Sequence, residues 1–382
     1  MDVDSEIAAQ KQINNVKSTL LGNSKIIIIG FVAGIQKFRR EKSMATMTIE
    51  NLGFPWATRD PFLFCVHHLD FYPKGNGKGG PAASLRGRQI GNDFIIKDGW
   101  RMYHGDKIPG FPAHPHRGFE TVTVVQRGMV DHADSMGAAG RYGGGDVQWM
   151  TAGSGVQHSE MFPLLEENQG NTLELFQIWL NLPKHRKMVD PNFKMLWAET
   201  IPTSTFEDEA GRSIQVIQYC KGIGTKKGPV PTPDSWASDA TNDVAIWVIS
   251  LDEQARWELP EALRGVDRSL YLYEGKSVRV AGEQLKLNQV GHINQSESLK
   301  IINGESSAKL LLLQGRPIGE PVVQYGPFVM NSRQEIVDTF EEYRRTQFGG
   351  WPWKSPDQIH GLLSGRFARH ANGVEEKPTI PN

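Results

Sequence analysis

Between residues 51 and 331 the chain alternates short apolar runs with turn residues. "DPFLFCVHHLDFY" follows an Asp60-Pro61 turn and reads as a buried strand. "FETVTVVQRG" (119–128) is β-branched and stops at a glycine, "MVDHADSMG" alternates and ends at Gly137, and "NTLELFQIWLNLP" (171–183) stops at Pro183. "GRYGGGDVQWMTAGSGVQHSEMF" (140–162) breaks into short strands at glycine turns, whereas "GNGKGGPAASLRGRQIGND" (75–93) is polar and predicts a long loop. A second cluster contains "VAIWVISL" (244–251), "SLYLYEG" (269–275), "SVRVAG" (277–282), "SLKIING" (298–304) and "AKLLLLQGRPIGEPVVQYGPFVMN" (308–331). Runs of this length and spacing predict a barrel or sandwich in each cluster, and so an all-β chain. One helix is signalled near the end. Ser332 and Glu335 form a capping box, and Ile336, Phe340 and Tyr343 recur at i, i+4, i+7 before "FGGWPW" (348–353) breaks the pattern.

These runs divide the chain. Residues 46–225 form a first domain, the Pro- and Ser-rich segment 226–243 a linker, 244–353 a second domain, and 354–382 a loosely ordered polar tail. Residues 1–45 read as an appended segment outside the fold, and Met44 or Met47 could be a later start. Its apolar stretch 25–35 is too short to span a bilayer, so no membrane role is expected. A length of 382 residues suits two cores, and 40 glycines with 22 prolines suit the many turns of a β fold. The 42 basic and 43 acidic side chains nearly cancel, which removes any global field for nucleic acid, so direct nucleic-acid binding is not expected. Cys65 and Cys220 make neither a disulfide framework nor a zinc motif. They read as core thiols in a reducing compartment, the cytoplasm, or the nucleus in a eukaryote.

The candidate chemistry lies in two pairs. "HPHRGFETVT" carries His114 and His116, and "GVQHSEM" carries His158 and Glu160, each pair one residue apart. A strand turns i and i+2 to the same face, so each segment offers two ligand-type groups to one side. Three imidazoles and a carboxylate facing a common interior outline a site for one divalent transition metal. With no thiolate, structural zinc is disfavoured. The set suits iron(II) first, with manganese, nickel, copper or zinc as alternatives. Four protein ligands on an octahedral ion leave two positions open for substrate or dioxygen. The second cluster has only His292, so it is expected to hold no metal. Glu120 or Asp146 could accept the second N–H of a ligating imidazole. Arg117, Gln148, Trp149 and Met150 flank the ligands and could line a pocket or pack in the core. His67, His68 and His132 read as structural.

"HPHRGFETVT" and "GDVQWMTAGSGVQHSEM", with "DPFLF" near the start and "GRPIGEPVVQYGPFVMN" near the end, resemble the pirin family of the cupin superfamily. The resemblance runs from about Asp60 to Trp353. It implies two β-barrel cupin domains of jelly-roll type packed face to face, with a C-terminal helix. It also implies one iron in the first barrel, held by His114, His116, His158 and Glu160, and a Glu120 that does not ligate. Some proteins of this kind open the flavonol quercetin with dioxygen. The resemblance thus implies a quercetin 2,3-dioxygenase-like oxidoreductase taking a flat aromatic substrate, with Glu160 as general base and Phe119 and Trp149 as aromatic walls. Others act as nuclear transcription cofactors or bind metabolic enzymes. The alternative is therefore a metal- or redox-sensing protein acting through a regulatory protein partner. A weaker third reading is a cupin isomerase or a metal protein with an unrelated substrate.

Overall fold

Short β-branched runs cut by glycine can satisfy their backbone groups only by pairing with one another. The computed structural model describes residues 47–379, and nearly every run becomes a strand. The proposed extension 1–45 lies outside the described residues. In chain order the first strands are β1 (Met47–Asn51), β2 (Phe62–Tyr72), β3 (Gly110–His116), β4 (Phe119–Arg127), β5 (Met129–Asp134), β6 (Ala139–Gly143), β7 (Val147–Thr151), β8 (Val156–Met161), β9 (Asn171–Asn181) and β10 (Asn192–Leu196). Then follow β11 (Thr203–Glu207), β12 (Ser213–Cys220), β13 (Ala245–Leu251), β14 (Arg256–Leu259), β15 (Asp267–Glu274), β16 (Ser277–Val280), β17 (Glu283–Lys286), β18 (Gln289–Ile293), β19 (Leu299–Asn303) and β20 (Ala308–Gly315). The chain closes with β21 (Val323–Tyr325), β22 (Phe328–Met330), helix α1 (Arg333–Thr346), β23 (Phe367–Arg369) and β24 (Glu375–Glu376).

Two sheets enclose the first barrel, in the orders β10-β7-β4-β9-β2 and β24-β23-β6-β5-β8-β3. Two more enclose the second, in the orders β1-β18-β15-β20-β13-β12-β11 and β14-β19-β16-β17. The barrels pack through the β4 sheet and the β13 sheet. Val122, Val124, Trp149, Phe176 and Ile178 of the first meet Ile246, Val248, Val290 and Leu311 of the second in one apolar cluster. The β4 sheet is therefore covered on both faces, which explains why "FETVTVV" is buried from Phe119 to Val125. Cys65 lies in this inter-barrel layer, and both cysteines are buried and free.

Two expectations need correction. β1, β11 and β12 come from residues assigned on sequence to the first domain, yet they pair into the sheet of the second: Met47 opposes Ile293 and Val216 opposes Ile249. The segment 226–243 thus does not divide the sheets, and Thr232 and Ser235 within it reach Glu120 of β4. The tail is also ordered onto the first barrel. β23 extends the edge beyond β6, and the Pro356 carbonyl accepts the Ala113 N–H. The physical cause is Arg141, 1% exposed, which donates to both oxygens of buried Asp131 at 2.7 Å and to the carbonyls of Gly361 and Ser364. The His360 N–H completes Asp131. Helix α1 forms where its signals stand: Ser332 Oγ accepts the Glu335 N–H, and Ile336 and Tyr343 are its buried face.

Removing Arg141 would leave the Asp131 carboxylate buried without its cation. Arg141→Met is expected to lower stability by about 3–5 kcal/mol and to expose the chain after Ser355 to protease. Urea unfolding with limited proteolysis checks both. An unchanged midpoint would mean that the tail is held by strand pairing alone.

Candidate metal centre

β3 and β8 run antiparallel with His114 opposite His158. This register points His114, His116, His158 and Glu160 into the barrel together. The three imidazole rings lie 4.5–4.9 Å apart between centroids, and one ligand atom from each falls within 4.8 Å of the others. Burial pushes the His114 pKa down to about 4, and those of His116 and His158 well below the usual imidazole range, so all three are neutral donors. His114 Nδ1 donates to the Pro112 carbonyl at 2.9 Å, which leaves Nε2 free for the interior. His158 is fully buried, and neither ring nitrogen has a hydrogen-bond partner among the described residues. Orphaned neutral nitrogens facing one another fit a divalent transition metal.

Glu160 stands beside this group, its Oε2 at 3.8 Å from His158 Nε2. Thr123 Oγ1 donates to Oε1 at 2.9 Å and Gln177 Nε2 to Oε2 at 3.0 Å. Burial raises its pKa against these hydrogen bonds. Both supporting residues come from the opposite sheet, from β4 and β9. Trp179 and Phe119 cover His116 from that sheet, with ring centroids 5.4 and 5.1 Å from it, and Trp179 Nε1 is buried without a partner among the described residues.

Several flanking residues lie elsewhere than expected. Glu120 is buried on the other face of β4, where it accepts from Thr151, Trp149, Thr232 and Ser235 between the barrels. It supports no imidazole, and burial raises its pKa. Trp149 shares that face, so Phe119 faces the histidines and Trp149 does not. Asp146 accepts the N–H groups of Gly143 and Ala198 and pairs with Arg366, again away from the ligands. Arg117 turns to the Ser154 carbonyl and to Glu342 of α1. Met150 packs in the first core. Gln148, by contrast, opposes Thr123 and so faces the barrel interior, fully buried with its amide atoms unpartnered among the described residues. His292 bonds Ser269 in the second barrel. His67 belongs to the inter-barrel layer, stacked on Phe176.

His132, which reads as structural in the sequence, lies at the site. It opposes Glu160 across the β5–β8 ladder, its ring is 5.7 Å from His158, and its Nε2 contacts Asp134 at 3.2 Å. The sequence signal was a third i, i+2 pair, His132 with Asp134. Thr123 and Gln177 carried no comparable signal, because lone polar residues in apolar strands have many roles.

Comparison with known proteins now bears on this geometry. The pirin family model matches residues 81–180, and the pirin C-terminal cupin domain model matches residues 246–349. The chain belongs to the pirin family. A pirin-like protein of Caulobacter vibrioides is 36% identical over 64% of this chain and 82% of its own length. Pirin-1 of Arabidopsis thaliana is 36% identical over 63% of this chain and 78% of its own. Among solved structures, quercetin 2,3-dioxygenase from Acinetobacter baumannii superposes with a TM-score of 0.60 at 29% identity, covering 76% of this chain and 87% of that one. This pirin has no helix, among its described residues, long and apolar enough to cross a membrane.

The site makes a prediction about metal content. This pirin is expected to retain one metal equivalent after dialysis, and His116→Ala or His158→Ala to lose it. Gln177→Leu strips a hydrogen bond from Glu160 without touching a histidine, and is expected to weaken metal binding about 10–100-fold. Plasma mass spectrometry and competitive chelation measure these effects. A second equivalent lost with His292→Ala would move the site to the other barrel.

Proposed function

We propose that this pirin is a metal-dependent dioxygenase that opens a flavonol such as quercetin with dioxygen. One observation carries the reading: three neutral imidazoles face one another, His158 with neither ring nitrogen partnered among the described residues, and a buried, hydrogen-bonded carboxylate stands beside them. The likeness to the Acinetobacter baumannii quercetin 2,3-dioxygenase supports the substrate class. In this reading His114, His116 and His158 hold the metal, iron(II) first, and Glu160 is the fourth ligand. The bound metal would supply a Lewis-acid centre that acidifies a flavonol hydroxyl. Glu160 would take that proton at a carboxylate oxygen, since burial makes it a better acceptor than a solvated carboxylate. Thr123 and Gln177 hold the carboxylate in place. Phe119 and Trp179 offer a flat apolar wall and exclude water.

A second reading has its own observation. Glu160 is only 5% exposed, and a cavity of about 270 Å³ lined by Tyr72, Met129, Phe162 and Leu173 includes none of the four residues. A protein that holds metal and acts through a regulatory protein partner needs no wider access.

Iron content and aerobic flavonol consumption, measured side by side, separate the two. Glu160→Gln keeps the shape and one acceptor oxygen but loses the basicity. It is expected to keep most of its iron and lose turnover by on the order of 10²–10⁴-fold, whereas His158→Ala loses both. Parallel loss in Glu160→Gln would make that residue a ligand only. An iron-replete wild type that consumes no flavonol would leave the regulatory reading.

A further inference from the structure

The segment joining β2 to β3 builds a second polar group beside the metal site. Arg88 lies 3.3 Å over the Trp100 ring and bonds Asp93 and the Lys97 and Trp100 carbonyls, which fixes the segment. The fixed segment places Arg101 and Tyr103 against β2. Arg101 donates to both oxygens of Asp70 at 2.9 Å, Tyr103 Oη lies 2.6 Å from Asp70 Oδ2, and His68 Nδ1 lies 2.7 Å from Tyr103 Oη. Counting protons assigns the tautomer. Asp70, clamped by Arg101, can only accept. Tyr103 has one proton, which goes to Asp70. The Tyr103 oxygen must therefore accept from His68 Nδ1–H, which leaves a bare lone pair on His68 Nε2. Burial and then Arg101 hold His68 neutral. Among the described residues His68 makes its hydrogen bond through Nδ1 alone, and none donates to Nε2.

The bare nitrogen lies among aromatic rings at the edge of the metal site. The His68 ring is 6.2 Å from Phe111 and 6.1 Å from Phe54, which is 55% exposed. Phe111 in turn is 6.3 Å from the His114 ring. Phe94, Phe111 and His114 are half-exposed, whereas His68 and Tyr103 are buried beneath them. We propose that this aromatic mouth is a subsite for a hydroxylated aromatic ring, whose O–H donates to His68 Nε2. The inference rests on the flavonol reading and deepens it: His68 would recognise a hydroxyl on the part of the substrate remote from the metal. His68 is a positioning residue in this scheme, and no proton is transferred. A methyl ether brings no donor and leaves that acceptor unpaired under the bound ring, so the subsite selects free phenols.

Two measurements test it. Two-bond proton–nitrogen correlation spectra of the full chain report the tautomer of each histidine. His68 is expected to carry its proton on Nδ1, and its Nε2 signal to move with added phenol but not with anisole. A proton on Nε2, or an equal response to both compounds, overturns the proposal. The second measurement is anaerobic binding to the iron-loaded protein of quercetin and of galangin, which lacks the pendant-ring hydroxyls. His68→Leu is expected to weaken quercetin on the order of tenfold and leave galangin unchanged, while His68→Gln, which keeps an acceptor, recovers most of the loss. Equal losses for the two flavonols overturn the subsite even if quercetin is still consumed. If the wild type consumes no quercetin but phenol still moves His68 Nε2, the subsite stands and the flavonol reading falls.

Discussion

The antiparallel register of β3 against β8 is the constraint on which the site depends. His114 opposes His158, and slipping either strand by one residue would turn its pair out of the barrel. Glycines fix both ends of β3. A side chain at Gly110, with φ +133°, would place Cβ 2.5 Å from the Glu160 carbonyl oxygen, and one at Gly118, with φ +84°, would place it 2.0 Å from that of Val329. The Gly118 carbonyl also accepts from Lys187, whose Nζ reaches Asn181 and Val329 as well. Burial lowers the Lys187 pKa to about 8. The turn after the His114–His116 pair is thus tied directly to β22, so the C-terminal region helps hold this pair without adding a side chain to the group.

The β4 sheet separates two polar problems. On its inner face Thr123 and Gln177 hold Glu160. On its outer face Glu120, fully buried and with no ion pair among the described residues, is met by four donors, two of them from the segment crossing between the barrels. An unpaired carboxylate there would be costly, so these donors make the fit of the barrels depend on that segment's path. The two glutamates have the same residue type and the same direction of pKa shift. They differ in strand and in face: Glu120 on β4 turns to the inter-barrel layer, whereas Glu160 on β8 turns to the histidines.

This is also where the sequence stops being readable. The i, i+2 pairs, the two strand clusters and the capping box of α1 report local geometry, and local geometry is preserved. Assigning faces on β4 and β7 is different. With both faces buried, polar alternation disappears, and Phe119 and Trp149 look equally suited to line a pocket. Strand partners are non-local as well. β1, β11 and β12 have ordinary strand composition, and nothing in them says that they complete the other barrel's sheet. The tail reads as solvated because it is polar, but Arg141 and Asp131 bury their charges against its backbone.

Charge at the site gives a last argument about what binds there. Burial keeps His114, His116 and His158 neutral, so Glu160 is the only formal negative charge among the four proposed ligands. A divalent ion held by these four would leave one positive charge uncompensated in a region with little water. The attraction for an anionic oxygen is much stronger there than in solution. Such a site favours a ligand that can give up a proton on arrival, as an acidic enol or phenol can, over a neutral alcohol. Glu160 is then asked for two things that conflict, charge for the metal and basicity for the proton. Its hydrogen bonds from Thr123 and Gln177 let it do either: they favour the carboxylate over the acid, while burial opposes them and keeps the carboxylate basic.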